Sequence, residues 1–163
     1  MLLNNIQSGG NIWLTIIGNS MFPFIMDGDR VLIKDEDFEK LKCGDVITYR
    51  INNNYITHRI IHKFNGYLLT KGDHLYFPDH YIERNSFVGK VIIIERKNKK
   101  RDLNQRKYRI MNWFTGYIQR IIGSINLYIY NKCSSKIQRK IAFLICKISN
   151  KIVEFIERIV FCG

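Results

Sequence analysis

The spacing of apolar residues changes along the chain and divides it into two parts. In residues 1–95, short apolar runs rich in β-branched side chains recur at intervals of roughly ten residues, separated by Gly or Asn turns. This pattern is typical of the strands of a small all-β or barrel-like domain. The predicted strands are residues 12–17, 30–34, 46–51, 55–62 and 88–95. Only residues 2–7 and 36–41 favour a helix in this part.

Two asparagine-containing turns predict β-hairpins between these runs. Three consecutive asparagines, residues 52–54, separate the third run from the fourth and tolerate turn geometry. The pair Asn65-Gly66 lies between the apolar residues Phe64 and Tyr67, and Asn-Gly in that setting is the strongest short hairpin signal. We therefore expect a hairpin at each of these two turns.

Beyond residue 95 the apolar period becomes helical. A charged linker, residues 97–101, precedes two segments in which apolar side chains repeat every three or four residues. Each segment carries Lys and Arg on its other face, and residues 133–135 separate the two. The apolar positions are Ile110, Phe114, Tyr117, Ile118, Ile121, Ile125 and Tyr128, then Ile137, Ile141, Leu144, Ile145, Ile148, Ile152, Phe155, Ile156 and Ile159. The sequence predicts a β domain, residues 1–95, followed by a tail of two basic amphipathic helices, residues 96–163.

The positive charge of the chain is concentrated in the predicted tail. The net charge is +12, of which residues 1–95 contribute −1 and residues 96–163 contribute +13. Such a split indicates an anionic partner, either a membrane surface or a nucleic acid. The continuous apolar faces and the lack of a nucleic-acid-binding motif favour the membrane over nucleic acid. The side chains expected to face lipid are Trp113, Phe114, Tyr117 and Phe143. The alternative is that the helices pack on each other or on a partner protein.

The sequence shows no targeting or spanning segment. Residues 1–10 lack the basic and apolar regions of a signal peptide. No run approaches the roughly 18 uncharged apolar residues that a spanning helix needs. The nearest candidate is Ile110–Asn131, which Arg120 interrupts. We therefore expect a peripheral protein on the cytoplasmic face of a membrane.

The four cysteines, Cys43, Cys133, Cys146 and Cys162, form no Cys-x-x-Cys pair. Their gaps match no zinc pattern, so the sequence predicts free thiols in a reducing compartment and no metal or other cofactor.

Residues 18–34 present one serine, Ser20, between an apolar run and a Met-x-Pro turn. A serine hydroxyl becomes a nucleophile when a nearby base removes its proton. His58 is the candidate base, because its apolar neighbours in a predicted strand would hold the imidazole rigidly. Asp73 and Asp79 each offer a carboxylate that would fix the tautomer of the histidine.

Each of these residues also has a purely structural interpretation. Ser20 would then bond the backbone in a turn, and His58 would be an ordinary half-buried strand residue. Asp73 and Asp79 would be turn formers. Spacing alone does not separate a catalytic set from this alternative.

Five segments occur in a specific order. They are Ser-Met-x-Pro with a following Gly-Asp (20–29), Gly-Asp-Val-Ile-Thr-Tyr (44–49), His-Arg-Ile-Ile (58–61), Thr-Lys-Gly-Asp (70–73) and Val-Gly-Lys-Val (88–91). In order and spacing they resemble the type I signal peptidase superfamily, the serine peptidases that include signal peptidases and self-cleaving SOS-type repressors. The resemblance covers more than half of the chain and none of the basic tail. It implies a coiled, barrel-like β-sheet as the catalytic domain.

The resemblance implies a role for each candidate residue. Ser20 corresponds to the nucleophile and His58 to the general base, as in the endoplasmic-reticulum and archaeal type, whereas bacterial-type enzymes usually use lysine. The acidic partner corresponds to Asp73 or Asp79, of which Asp79 is favoured as the partner of His58 and Asp73 as a supporting carboxylate.

The surroundings of Ser20 depart from better-known relatives. Some relatives carry a hydroxyl residue two places before the nucleophile, where this chain has Gly18. The oxyanion side is therefore expected to depend on the Ser20 N–H and Asn19. Met21 and Pro23 are expected to contact substrate, as part of a surface to which Phe22, Phe24 and Ile25 also contribute.

The resulting expectation is a serine endopeptidase that removes a signal or leader peptide from a precursor through an acyl-enzyme. The substrate would bind as an extended strand along a sheet edge. Proteins of a peptide-maturation system are candidate partners. The alternative is a non-catalytic module of the same fold that only binds extended peptides. A self-cleaving regulator is less expected, since no DNA-binding domain precedes the β domain and no internal cleavage loop is evident.

Overall fold

Eight antiparallel strands form one sheet in the computed structural model, which describes residues 10–132 and 136–162. The strands are β1 Ile12–Thr15, β2 Arg30–Lys34, β3 Val46–Ile51, β4 Asn54–Phe64, β5 Tyr67–Lys71, β6 Tyr81–Ile82, β7 Phe87–Arg96 and β8 Lys99–Asp102. Two helices follow, α1 Arg106–Lys132 and α2 Lys136–Cys162. The prediction of a mainly β fold followed by two helices is confirmed.

Strand β7 pairs with three other strands of the sheet. The strand order is β1-β2-β7-β3-β4-β5-β6, and β8 pairs with the second half of β7. Strand β2 pairs along one side of β7, while β3 and β8 share the other side. Register shifts interrupt the ladders at Leu32/Ile33, Thr48/Tyr49 and Ile60/His62. Because a β-bulge increases the local right-handed twist, these irregularities coil the sheet.

The two predicted hairpins have the turn geometry that their asparagines favour. Asn52, between β3 and β4, has a φ of 54°. Asn65 and Gly66, between β4 and β5, have φ values of 43° and 79°. Two consecutive residues with positive φ match the twist of the flanking strands, which explains why Asn-Gly is a strong hairpin signal.

Two apolar clusters form the core. One cluster contains Phe38, Leu41, Ile47, Tyr49, Ile60, Leu68 and Ile82. The other contains Met21, Phe24, Ile25, Val31, Ile33, Val46, Val91, Ile94, Leu103, Tyr108 and Met111. Because Tyr108 and Met111 belong to α1, the first helix of the predicted tail completes the core of the β domain.

The predicted linker at residues 97–101 is a hairpin turn followed by strand β8. Lys97 and Asn98 have φ values of 49° and 63° and form the turn, and Lys99–Asp102 then pairs back onto β7. The sequence did not predict this strand because it is short and charged, as edge strands commonly are. The predicted boundary at residue 95 therefore falls inside β7.

Three smaller expectations concern residues 36–41, the cysteines and residues 2–7. Residues 36–41 form only a single 3₁₀ turn, Phe38–Lys40, with the Glu39 N–H donating to Asp37 Oδ1 at 3.0 Å. Cys43 carries a free thiol, whereas the side chains of Cys133, Cys146 and Cys162 lie outside the described residues. The predicted helix at residues 2–7 also lies outside them.

Helix α1 contacts the sheet through its polar side, not through its apolar stripe. The buried polar residues of α1 are Asn112, Thr115, Gln119 and Asn126. The exposed apolar residues that form its stripe are Ile110, Trp113, Phe114, Tyr117, Ile121, Ile125 and Tyr128. Helix α2 likewise exposes Ile137, Ile141, Leu144, Ile148, Ile152 and Phe155. We call these two exposed sets together the outer apolar face. The ring of Phe143, which was expected to face lipid, instead lies 5.3 Å from the Tyr76 ring. Within the described residues, no helix is long and apolar enough to cross a membrane.

Two glycines allow α1 to approach the sheet closely. A Cβ on Gly116 would lie 2.7 Å from the Cα of Gly44, and a Cβ on Gly44 would lie 2.4 Å from the Asn112 carbonyl oxygen. Both distances are far below van der Waals contact, so only glycine fits at either position. This contact brings the polar side of α1 within hydrogen-bonding reach of the loops that carry the candidate site.

Candidate active site

Ser20 lies in a tight turn that follows β1. The Phe22 N–H donates to the Asn19 carbonyl at 3.1 Å, and the Gly18 N–H donates to Asp27 Oδ1 at 2.7 Å. Ser20 itself remains half-buried. The turn thus fixes the direction of the Ser20 side chain at the end of a strand, as the sequence predicts.

A partly buried ion pair anchors the far end of this turn. Arg96 Nε donates to Asp29 Oδ1 at 2.9 Å, and its Nη2 donates to Asp29 Oδ2 at 2.6 Å. The same guanidinium also donates to the carbonyls of Pro23 and Phe24, at 3.3 and 3.2 Å. Because a bidentate arginine pair is rigid, the turn that carries Ser20 is held against the end of β7.

Ser20, His58 and Asp79 form a continuous hydrogen-bonded chain. The Ser20 Oγ lies 3.0 Å from His58 Nε2, and His58 Nδ1 lies 2.7 Å from Asp79 Oδ2. His58 is only 5 % exposed and sits within β4, so the strand fixes the position of its ring. With a proton on Nδ1, the imidazole donates to the carboxylate and its Nε2 accepts from the serine hydroxyl.

Two hydroxyl groups complete the surroundings of Asp79. Thr70 Oγ1 donates to Asp79 Oδ2 at 2.7 Å, and the Tyr49 hydroxyl donates to the same oxygen at 3.0 Å. Burial by itself raises the pKa of Asp79, but the hydrogen bond and charge of His58, with the two hydroxyls, outweigh burial and lower it. Asp79 therefore stays ionised at neutral pH.

Tyr49 is kept in its neutral, donating form. Burial, and after it the negative charge of Asp79, raises the pKa of the Tyr49 hydroxyl far above its ordinary value. The hydroxyl also lies 3.3 Å from His58 Nδ1. Tyr49 thus supports the carboxylate without competing for its negative charge.

Comparison with protein families identifies the chain by its N-terminal part. The family described as Peptidase S24-like matches residues 2–92, which is more than half of the 163 residues. The chain belongs to the peptidase S24-like family. Its β domain is therefore of the serine-peptidase type that its segments resembled. No curated protein matches the chain.

In this S24-like chain Asp73 lies away from His58 and pairs with Arg59. Arg59 Nε donates to Asp73 Oδ1 at 2.9 Å, and Arg59 Nη2 donates to Asp73 Oδ2 at 2.7 Å. Both side chains are fully buried, and the guanidinium lies 4.6 Å from the Phe24 ring centre. The structure thus brings Asp79 to the histidine and places Asp73 in a buried ion pair beside it.

The segment of residues 71–79, which runs from the last residue of β5 toward β6 and which we call the 71–79 loop, connects both ends of the Ser20–His58–Asp79 chain. Its His74 N–H donates to the Ser20 carbonyl at 2.9 Å, and Asp79 ends it beside His58. A Cβ on Gly72 would lie 2.6 Å from the same Ser20 carbonyl oxygen, so glycine is required for this approach. The position of the 71–79 loop therefore sets both the serine and the carboxylate.

The predicted substrate-contacting residues are only partly placed as expected. Asn19 is exposed beside Ser20, and Pro23 is half-buried. Met21, Phe24 and Ile25 belong to the core and expose at most 2 % of their surface, so the expectation that they contact substrate is wrong. The turn directs these apolar side chains into the core of the β domain.

A cleft of about 630 Å³ opens directly beside Ser20. Its walls come from the end of β1, the β3–β4 hairpin and the 71–79 loop. The apolar lining residues are Leu14, Ile16, Ile17, Tyr55, Ile56 and Leu75. Strand β1 is an edge strand, since it pairs only with β2 among the described strands. The cleft therefore offers apolar walls and a free strand edge next to the serine hydroxyl.

No single motif indicates the polar residues that surround the site. Tyr49 and Thr70 lie inside two matched segments, but nothing local indicates that both point at one carboxylate. Asn112, Gln119 and Asn126 lie seven residues apart, which is one helix face. That second periodicity, opposite the apolar stripe, was the signal that would have revealed a buried polar face.

Proposed function

We propose that this chain is a serine endopeptidase that removes a signal or leader peptide from a precursor. The observation that carries the proposal is the Ser20–His58–Asp79 hydrogen-bonded chain beside an open cleft. Membership of a serine-peptidase family supports the same reaction class. The specific substrate class rests on the resemblance of the motifs to signal peptidases.

The first half of the reaction acylates Ser20. The Oγ attacks the carbonyl carbon of the scissile bond while His58 Nε2 accepts the hydroxyl proton. Asp79 accepts a hydrogen bond from the Nδ1–H of His58 and stabilises the imidazolium that forms. When the tetrahedral intermediate collapses, His58 returns the proton to the leaving amine, and the C–N bond breaks. The N-terminal fragment is left as an ester on Ser20.

The second half releases that fragment. Water takes the place of the amine, and His58 accepts its proton as the water oxygen attacks the ester carbon. Collapse then breaks the bond to Ser20 Oγ, which regains a proton from His58. Histidine serves as base in this scheme because its Nε2 is the nitrogen within hydrogen-bond distance of the serine hydroxyl.

The Ser20 N–H is suited to stabilise the oxyanion. Within the described residues this N–H donates to no other protein group, so it remains available to a substrate oxygen. Asn19, exposed beside it, is the second candidate donor. An oxyanion hole without a hydroxyl donor at position 18 stabilises the oxyanion less strongly. The loss of one such donor typically lowers kcat by about 10²–10³-fold.

The outer apolar face supports action at an anionic membrane surface. Thirteen large apolar side chains of α1 and α2 are exposed on this face. The same segment carries most of the positive charge of the chain, which complements anionic headgroups. A precursor held at that surface would then meet the cleft beside Ser20.

Co-expression with a candidate precursor tests the proposed reaction. We expect two products whose masses add to that of the precursor plus one water, and none with Ser20→Ala. Ser124→Ala, which changes an exposed serine of α1, serves as the matched control and should cleave normally. If the unmodified protein binds the leader peptide but never cleaves it, the chain is instead a peptide-binding module.

A further inference from the structure

We propose that α1 is a positioning element of the active site and that Gln119 is its principal positioning residue. This inference rests on the proposed function, because it concerns the same Ser20–His58–Asp79 chain. Gln119 and Asn126 lie on the helix that the sequence assigns to a separate tail. Neither contacts Ser20, His58 or Asp79 in the structure, so each would act through the 71–79 loop.

Gln119 holds the beginning of the loop with both ends of its amide. Its Nε2 donates to the Asp73 carbonyl at 2.9 Å, and its Oε1 accepts from Lys71 Nζ at 2.5 Å. The side chain is completely buried. A buried amide that hydrogen-bonds two groups of the loop fixes the loop strongly, because its loss would leave the buried Asp73 carbonyl without this donor. Lys71 Nζ also donates to the Gly72 carbonyl at 3.2 Å.

Two further contacts hold the rest of the loop. Asn126 Nδ2 donates to the Tyr76 carbonyl at 2.7 Å. A Cβ on Gly123 would lie 3.1 Å from Pro78, the residue immediately before Asp79. One face of α1 thus contacts the loop near its start, its middle and its end.

The helix also closes the ion pair next to His58. Asn112 Oδ1 accepts from Arg59 Nη1 at 2.8 Å, while the other guanidinium nitrogens hold the Asp73 carboxylate. Arg59 directly follows His58 in β4. The polar face of α1 therefore contacts the loop that carries Asp79 and the strand that carries His58.

The catalytic consequence follows from where the loop ends. Its His74 N–H binds the Ser20 carbonyl, and its Asp79 binds His58. If the loop lost its contacts with Gln119, the distance from His74 N–H to the Ser20 carbonyl and the distance from Asp79 to His58 would lengthen together. A misplacement of about 1 Å in a reacting group can cost about 10²-fold in rate, so kcat should fall while substrate binding persists.

The test compares Gln119→Met with Gln105→Met in the full-length protein. Both replace an amide by an apolar side chain of similar length, but Gln105 is exposed and precedes α1. We expect Gln119→Met to lower kcat about 10- to 100-fold, with KM changed less than about threefold. Gln105→Met should match the unmodified protein. Equal kcat values for the two variants would overturn the proposal.

A spectroscopic readout separates positioning from general loss of stability. We expect the Nδ1 proton of His58 to give a downfield NMR signal in the unmodified protein, because its hydrogen bond to Asp79 is short. We expect this NMR signal to broaden or disappear in folded Gln119→Met and in Asn126→Leu, and to persist in Gln105→Met. A signal that is unchanged in both folded α1 variants would refute the positioning role. If only one of them folds, its signal alone decides.

The two proposals fail in different ways. An unmodified protein that cleaves no precursor counts against the proposed function, yet its His58 signal still tests the contact with α1. Gln119→Glu adds a conservative check, because it keeps the acceptor for Lys71 but loses the donor to the Asp73 carbonyl. We expect its kcat between those of Gln119→Met and the unmodified protein, whereas a kcat equal to that of the unmodified protein would contradict a role for the Asp73 contact.

Discussion

The Nδ1 atom of His58 lies 2.7 Å from Asp79 Oδ2, so the imidazole is held from the side opposite Ser20. This contact joins β4 to the end of the 71–79 loop, two segments that are 21 positions apart in the sequence. The carboxylate also accepts from Thr70 and Tyr49, so three side chains hold the same oxygen of Asp79 in place.

Removing the charge of Asp79 should reduce catalysis more than binding. We predict that Asp79→Asn lowers kcat by about 10³–10⁴-fold, because an amide favours the wrong histidine tautomer and does not stabilise the imidazolium. Steady-state kinetics on a cleaved precursor peptide measures this. Asp35→Asn, at an exposed carboxylate, is the matched control and should retain full activity. A loss below tenfold in Asp79→Asn would rule out this role.

The lowered pKa of Asp79 also predicts a pH dependence of stability. A carboxyl group whose pKa is lower in the folded than in the unfolded state stabilises the fold above its ordinary value of 3.8. That stabilisation disappears as the pH falls from 3.8 through the lower folded value. We therefore expect the unfolding free energy of the unmodified protein to fall more steeply in acid than that of Asp79→Asn. Urea denaturation at several pH values measures the difference, and parallel curves would contradict the prediction.

Much of the β domain could be predicted from local patterns. Strands β2 and β3 match the predicted ranges, and the Asn-Gly hairpin has the expected geometry, because both depend on near neighbours in the chain. Strand β8 could not be predicted in this way. It is a charged edge strand that pairs because β7 offers a free edge.

The arrangement of the site could not be predicted from local sequence patterns alone. The order of the motifs pointed to Ser20 and His58, but Asp73 and Asp79 lie six residues apart in one loop and look alike in the sequence. Only the path of that loop decides which carboxylate meets His58. The packing of α1 on the sheet could likewise not be predicted, because the sequence directed the apolar stripe of this helix toward a membrane or a partner and indicated no contact for its polar side. Here Gln119 and Asn112 are buried because Lys71 and Arg59 lie opposite them.

The close contact between α1 and the sheet predicts a sensitive glycine. A Cβ added by Gly116→Ala would lie 2.7 Å from the Cα of Gly44, and backbone atoms must shift to relieve the overlap. We expect a loss of about 1–3 kcal/mol in unfolding free energy, measured by urea denaturation. Ser124→Ala, on the exposed side of the same helix, should change stability by less than about 0.5 kcal/mol. Equal stability of the two variants would show that α1 does not pack this closely.

The outer apolar face predicts binding to anionic vesicles. We expect the full-length protein to sediment with vesicles that contain phosphatidylglycerol, and to sediment less in high salt, which screens the basic residues. Trp113→Ser with Phe114→Ser should weaken binding at least about fivefold, since both rings are exposed on this face. Tyr81→Ser, at an exposed aromatic ring of β6, should bind normally. If the protein did not sediment with anionic vesicles, the proposed binding to an anionic membrane surface would be wrong.

The central claim is that His58 activates Ser20 as a nucleophile. The most direct measurement is the reaction of the full-length protein with a fluorophosphonate, followed by mass spectrometry of its peptides. We predict one phosphonylated residue, Ser20, and labelling that is lost in Ser20→Ala and strongly slowed in His58→Ala. Ser124→Ala should be labelled at the rate of the unmodified protein. If Ser20 remains unlabelled, or reacts equally fast in His58→Ala, the proposed Ser20–His58 mechanism is wrong.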